Sequence, residues 1–294
     1  MKKLNICIIL IIFLCIFVIA CKHSAKMNPE EKPFKDNVDG LRGSTMFADD
    51  NLLRSSVNLK GLSKRPSRSN ILKILRDNNL TYSVSDITSM LDRHKTFVNH
   101  KKEVFEVETK LEKRIVNFPL NKMSSLVDSL ATYHNILTAL QYEVQPAYIL
   151  MDLLYMLNLD DPSSRDLKIT NSFLSMLDRM SDLTTKVVYE DLTKSRLKLF
   201  SQDEATIAVI FWNLEIFLKG WNLVGNTVIR ILYEVKNKLD QVNLQFSDKE
   251  DILNMLVNHF DLKELRFITS NIHSMEHYVS FISDLLAGKF FEDD

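Results

Sequence analysis

The stretch from Gln202 to Leu244 repeats apolar residues at alternating steps of four and three, and this repeat limits the chain to a helical fold. The repeated positions are Ile207, Phe211, Leu214, Leu218, Trp221, Gly225, Val228, Leu232, Val235, Leu239 and Val242. A second apolar row beside them consists of Ile210, Phe217, Val224 and Ile231. Two adjacent apolar rows are typical of a helix that packs against several others. We therefore predict one long central helix.

The opposite face of this predicted helix is charged. Glu215 precedes Lys219 by one helical turn, and Arg230 precedes Glu234 in the same way, so both pairs have the spacing of i,i+4 ion pairs in water. At 1.5 Å per residue the helix would be roughly 60 Å long. Gly225 interrupts the apolar row, and the lack of a Cβ there predicts that a neighbouring backbone approaches closely.

The rest of the chain also favours helices. Only 6 Gly and 6 Pro occur in 294 residues, too few for the many turns of a β-sandwich or barrel. Apolar periodicity and helix-capping residues predict further helices over residues 70–78, from Ser83 or Ser85 to about Ile115, 121–143, 166–199, 250–260 and 265–286. We predict an all-α fold, an elongated bundle of about seven antiparallel helices after a disordered N-terminal tether.

The N-terminus has the pattern of an export signal. Lys2 and Lys3 precede an apolar run that ends at Ala20, directly before Cys21. A positive start, a short apolar run and a small residue at the end are typical of a secretory signal peptide over residues 1–20. The last four residues, 18–21, resemble the bacterial lipobox, which predicts lipidation of Cys21. An ordinary signal peptide and an uncleaved anchor are the alternatives.

Residues 21–69 differ in composition from the helical part, which predicts a lipidated flexible tether followed by one helical bundle domain over residues 70–294. Half of all Gly and half of all Pro fall in this stretch, among Ser, Asn, Asp and Lys. Cys7 and Cys15 would leave with the signal peptide, so the predicted mature chain has no internal disulfide. The net charge of −1 provides no overall field that would attract nucleic acid.

One short pattern suggests catalysis. Residues 273–277 match the H-x-x-E-H motif of inverted zinc peptidases, with His273 and His277 as ligands and Glu276 as the general base. The apolar row of the last helix, however, places Met275 inward and therefore turns both histidines toward water. We find no phosphate-binding loop, no nucleophile elbow and no dinucleotide-binding pattern. The sequence thus predicts neither an enzyme nor a bound metal or cofactor.

Three segments of the central helix resemble a known family. They are Phe200–Glu204, Asn213–Ile216 and Leu232-Tyr233 with Asn237. They are similar to segments of the Borrelia family 54 surface lipoproteins, the group that includes the complement-regulator-acquiring surface protein. The resemblance implies a helical bundle displayed at the outer surface of a spirochaete, where some family members bind complement regulators or terminal components.

Together these patterns predict a lipid-anchored outer-membrane protein at the cell surface, which binds host proteins and supports immune evasion. It is expected to contact membrane lipid through the acyl chains of Cys21. Its expected protein partner is a host serum or matrix protein, with complement components or regulators as the leading class. No nucleic acid is expected as a partner. An adhesin or vector-phase factor that binds matrix or tick protein is one alternative. A zinc peptidase acting through His273, Glu276 and His277 is another.

Overall fold

The computed structural model describes residues 67–123, 126, 130–242 and 262–289. This described part is 80% helical and contains no strand, which confirms the predicted all-α class. Its eight α-helices are α1 (Arg68–Asp77), α2 (Val84–Glu112), α3 (Leu130–Ala139), α4 (Val144–Met156), α5 (Arg165–Thr185), α6 (Lys194–Leu199), α7 (Glu204–Val242) and α8 (Leu262–Leu286). A 3-10 turn (Leu120–Lys122) and a π-helical turn (Lys186–Asp191) complete the helical content of these residues.

The first two helices begin where side chains cap them. The Oγ of Ser67 accepts a hydrogen bond from the amide of Asn70, so α1 starts two residues before the predicted boundary. In α2, Ser83 and Asp86 form a reciprocal cap: the Asp86 carboxylate accepts from the Ser83 amide at 2.8 Å, and the Ser83 Oγ accepts from the Asp86 amide at 3.3 Å. The prediction that a serine starts α2 is confirmed for Ser83.

The predicted central helix is α7, and its apolar rows are buried as expected. In the long row Phe211 is half-buried, and the other apolar residues from Ile207 to Val235 are buried. All four residues of the second row are buried as well. The Glu215–Lys219 and Arg230–Glu234 ion pairs both form at 2.7 Å. The side chains of Leu239 and Val242 lie outside the described residues.

Helix α7 does not begin at Ser201, although Ser201 and Glu204 have the spacing of a capping box. The Asp203 carboxylate accepts hydrogen bonds from the Thr206 amide at 3.1 Å and from the Thr206 hydroxyl at 2.6 Å, so Asp203 caps the helix. Ser and Asp are similarly good capping residues, and the capping-box spacing of Ser201 with Glu204 favoured the wrong one of the two.

The helix predicted over residues 121–143 is shorter in the described residues. Only α3 is α-helical there, and it ends in a turn whose residues Gln141 and Tyr142 both have φ 53°. The amide of Tyr142 donates to the carbonyl of Leu137 at 2.8 Å, which closes the helix end. Because glycine normally takes this left-handed conformation, a turn without glycine could not be recognised from the residues here.

Pro146 does not break or kink α4, although a proline inside a helix usually does. Glu143 is the N-cap of α4, so Pro146 lies in the first turn of that helix. The first amides of a helix have no partner within it, and a proline there removes no hydrogen bond.

The predicted continuous helix over residues 166–199 is wrong. The π-helical turn follows α5, and Thr193 then caps α6 by accepting a hydrogen bond from the Arg196 amide.

The described residues fall into two compact units. Unit 1 contains the described residues of Val98–Thr185 and Gly220–Glu276. Unit 2 contains residues 67–97, Lys186–Lys219 and the described residues from His277 onward. Within unit 1, α3 packs along α5.

Among the described residues one helix, α7 over Glu204–Asn237, is long and apolar enough to cross a membrane. Most of it is buried inside the protein, as is typical of a core helix.

Candidate functional site

The predicted lipidation site lies outside the described residues. Cys21, the signal peptide over residues 1–20 and the tether as far as residue 66 all belong to that part of the chain. These assignments stay predictions. The H-x-x-E-H motif of α8, in contrast, is described in full.

The register predicted for α8 is confirmed. Met275 is 1% exposed, and a methyl group on Gly220 would stand 3.4 Å from its Cγ. The side chain of His273 is 86% exposed, and His277 is exposed as well. Since an α-helix turns 100° per residue, burial of Met275 forces the residues two positions before and after it toward the surface.

The carboxylate of the motif is already engaged. Arg179 Nε donates to Glu276 Oε1 at 3.0 Å, and His273 Nδ1 lies 3.4 Å from Glu276 Oε2. A general base must be within hydrogen-bond reach of the proton that it removes, and the Glu276 carboxylate already accepts a hydrogen bond from arginine. His277 packs its ring against Phe281 at 4.2 Å between centroids. Within the described ranges no group of three or more His, Cys, Asp or Glu residues is placed to hold a metal ion.

His94, in unit 2, is completely buried. Burial is the main cause that lowers its pKa to about 4, and the positive charge of Lys95 adds to this effect. The imidazole is therefore neutral at pH 7. A neutral, fully enclosed histidine without access to solvent is part of the core, so His94 has no catalytic geometry.

Asp191, also in unit 2, is a buried carboxylate that sequence reasoning missed. Its oxygens accept hydrogen bonds from Lys186 Nζ at 2.9 Å, Arg196 Nη1 at 3.0 Å and Ser283 Oγ at 3.1 Å. Asp191 ends the π-helical turn, and both basic residues lie five positions away from it along the chain. This network compensates the buried charge and joins the π-helical turn to α6 and α8. Its task is structural.

Two carboxylates of unit 1 converge on one amide. Asn135 Nδ2 on α3 donates to Asp178 at 2.8 Å and to Asp182 at 2.9 Å, both on α5. Burial raises the pKa of Asp178, the charge of Asp182 raises it further, and the hydrogen bond from Asn135 opposes both effects. Ser181 Oγ also donates to the Asn135 carbonyl at 2.5 Å. These contacts fix α3 to α5. The i,i+4 spacing of the two aspartates is visible in the sequence, but their shared partner is not.

Several large apolar side chains are exposed instead of buried. The exposed fractions are 76% for Leu111, 84% for Ile115, 73% for Leu130 and 79% for Leu199. Leu111 continues the apolar period of α2 in the sequence, yet its side chain is exposed. The helix ends one residue later at Glu112, and Lys113 then takes a left-handed conformation with φ 51°.

Comparisons with protein-family models, with curated proteins and with solved structures find no significant match to this chain.

Proposed function

We propose that this protein is a lipid-anchored outer-surface protein that binds host proteins, with complement components or regulators as the leading class, and that it acts by binding and not by catalysis. The observation that carries the proposal is the exposure of large apolar side chains on a folded helical scaffold, above all Leu111 and Ile115. Folded proteins seldom expose such residues in groups unless another molecule covers them.

Two sequence features support the location and the class of partner. The pattern that ends at Cys21 is typical of lipoprotein signal peptides, and acyl chains on that residue would hold the protein in the membrane. The segments of α7 that resemble the Borrelia family 54 surface lipoproteins direct attention to complement. The ion pair between Glu276 and Arg179 supports binding over hydrolysis, since it occupies the carboxylate that a peptidase would need.

The test uses soluble protein that starts at Lys22 and so keeps every described residue. It is immobilised and incubated with serum, and retained proteins are identified by mass spectrometry against an immobilised helical protein of unrelated sequence. We expect a complement component or regulator to be retained, equally with and without EDTA.

Two results would overturn parts of this proposal. If no complement component is retained from serum, but matrix or tick protein offered in a separate incubation is retained, the partner class is replaced and a binding function stands. Stoichiometric zinc together with peptide cleavage that disappears in Glu276→Gln would replace binding with hydrolysis.

A further inference from the structure

Helix α6 in unit 2 presents one leucine between basic side chains. Leu197 is the only buried residue of this short helix. Since an α-helix turns 100° per residue, Leu199 points almost directly away from the core, with Lys198 on one side of it and Arg196 on the other. Leu199 is 79% exposed. Lys194 precedes Lys198 by one helical turn and lies on the same side.

The two lysines of this helix have no carboxylate partner among the described residues. Lys194 and Lys198 are both exposed, and neither forms an ion pair there. The exposed acids nearest to them in sequence, Glu190 and Glu204, lie outside the helix and pair with neither lysine. Arg196, in contrast, pairs with the buried carboxylate that ends the π-helical turn. Two ammonium groups beside an exposed leucine are complementary to a surface that carries negative charge above an apolar layer.

The N-terminal end of the described chain reaches the loop that follows this helix. The Arg68 guanidinium, in the first turn of α1, pairs with the Asp203 carboxylate. The loop itself is tight, because the Asp203 amide donates to the Phe200 carbonyl at 2.8 Å. Phe200 directly follows Leu199. The predicted tether therefore joins unit 2 beside the exposed leucine.

The chain before Ser67 indicates what this part of unit 2 meets. Residues 21–66 belong to the predicted tether, and acyl chains on Cys21 would hold its other end in a bilayer. A coil of that length spans roughly 40 Å on average, so the point where it joins unit 2 repeatedly reaches the lipid headgroups. Lys64 and Arg65 give the tether a basic sequence just before that point.

We propose that Lys194, Lys198 and Leu199, which we call the 194–199 face, dock on the anionic headgroups of the membrane that anchors the protein. This inference rests on the proposed function, because the anchor at Cys21 supplies the bilayer. The two ammonium groups contact lipid phosphates, and Leu199 enters the apolar boundary below them. Two lysines attract a free protein only weakly, but the tether keeps this face at a high local concentration of lipid.

The experiment replaces the acyl anchor, so that its result does not depend on Cys21. The chain from Lys22 to Asp294 carries an N-terminal hexahistidine tag and is captured on vesicles that contain a nickel-chelating lipid. Leu199→Cys provides the only cysteine of this chain and is labelled with nitrobenzoxadiazole, an apolar fluorophore that brightens when it leaves water. The main lipid of the vesicles is either phosphatidylglycerol, which is anionic, or phosphatidylcholine, which has no net charge.

A matched chain carries the same label at Leu111→Cys. Leu111 is 76% exposed and belongs to unit 1, so it controls for exposure alone. We expect the label at position 199 to brighten severalfold on phosphatidylglycerol vesicles and to stay dim on phosphatidylcholine vesicles. High salt should reverse the brightening, because it screens the attraction between ammonium groups and headgroups. The label at position 111 should stay dim on both kinds of vesicle.

Two double variants separate local charge from net charge. Lys194→Gln combined with Lys198→Gln should lower the ratio of docked to undocked protein by about 30-fold, since each lysine near an anionic surface contributes about a factor of five. Lys110→Gln combined with Lys113→Gln changes the net charge equally but in unit 1, and should leave the ratio unchanged. All four lysines are exposed, so both double variants should melt at the wild-type temperature.

Four results would overturn docking of the 194–199 face. The label at position 199 could stay dim on phosphatidylglycerol, or brighten equally on both lipids. The label at position 111 could brighten as much as the label at position 199, or the control pair of lysines could matter as much as Lys194 and Lys198. Brightening that rises with protein density on either lipid also overturns it, because a second copy then covers the face.

The anchor of the proposed function is tested separately from this face. The nickel-chelating lipid holds the tagged protein whether or not Cys21 is acylated. If labelled palmitate does not enter the wild-type protein, the anchor fails, while the fluorescence at position 199 still decides whether the face binds anionic lipid. If the anchor is confirmed and the label stays dim, the face is overturned and the proposed function stands.

Discussion

The two glycines of α7 in unit 1 give opposite predictions for the same substitution. A Cβ on Gly225 would stand 2.5 Å from Gln141 Nε2 and 3.2 Å from the carbonyl oxygen of Ala139. A Cβ on Gly220 would stand 3.4 Å from Met275 Cγ, which is an ordinary contact with the flexible part of a side chain. In a helix interior, replacing Gly with Ala gains about 1 kcal/mol of unfolding free energy when nothing obstructs the methyl group.

At Gly225 the obstruction outweighs this gain. Gln141 is 6% exposed, and its amide donates to Asn222 Oδ1 at 3.3 Å. Displacing that amide leaves a buried polar group without its partner, which costs about 1–3 kcal/mol. The Ala139 carbonyl moves little, because Gln141 and Tyr142 hold the following turn in a left-handed conformation. Since overpacking a core costs about 1–3 kcal/mol in addition, and the helix gains about 1 kcal/mol, we expect Gly225→Ala to destabilise the protein by about 1–5 kcal/mol net.

Urea unfolding followed by far-ultraviolet circular dichroism tests this difference. Gly220→Ala should be neutral or stabilise the protein by up to about 1 kcal/mol, and Gly225→Ala should lower the unfolding midpoint. In a Gln141→Ala background, Gly225→Ala should cost clearly less, because the nearest obstructing atom is gone. Equal midpoints for the two glycine variants, or a Gly225→Ala protein as stable as the wild type, would refute the close approach of the α3 end to α7.

Three further predictions test the core, the buried histidine and the anchor. Leu218→Asp should lower the unfolding free energy by several kcal/mol because Leu218 is 0% exposed. Lys219→Ala loses only one half-exposed ion pair and should cost about half a kcal/mol at most. Equal melting temperatures for the two variants would refute the assignment of the core. The pKa of His94 is about 4 in the folded protein and 6.5 in the unfolded chain, so its protonation should remove about 3 kcal/mol of stability as the pH falls from 6.5 to 4. In His94→Gln the unfolding free energy should lack this one-proton dependence on pH between pH 7 and 4.5. An unchanged pH dependence in the variant would contradict the prediction. Labelled palmitate should enter the wild type and not Cys21→Ala, and incorporation into the variant would disprove lipidation of Cys21.

The central helix was predictable because its sequence and its burial have the same period. Leu214, Leu218 and Trp221 follow steps of four and three, and all three are buried. The same geometry made the orientation of His273 predictable, since burial of Met275 determines it. The close approach at Gly225 was predictable because a glycine in an otherwise apolar row costs helix stability that only packing recovers.

Elements that depend on partners distant in sequence were not predictable. The turn at Gln141 and Tyr142 uses a left-handed conformation without glycine, and Gln141 is held by Asn222, 81 residues away. Asp191 depends in part on Ser283, 92 residues away. Leu111 continues the apolar period of α2 but is exposed. Periodicity shows which side chains share one face of a helix; it does not show how much of that face the rest of the protein covers.

The residues that carry the resemblance to the surface lipoproteins have structural tasks in α7. Asp203 caps the helix, Asn213 is buried and donates to the Val209 carbonyl at 2.7 Å, and Glu215 pairs with Lys219. Leu214 is 0% exposed. Residues with such tasks specify a long helix and can persist in proteins that bind different ligands. Substitution of exposed residues such as Leu111 is therefore a sharper test of the proposed binding function than substitution of these helix-forming residues.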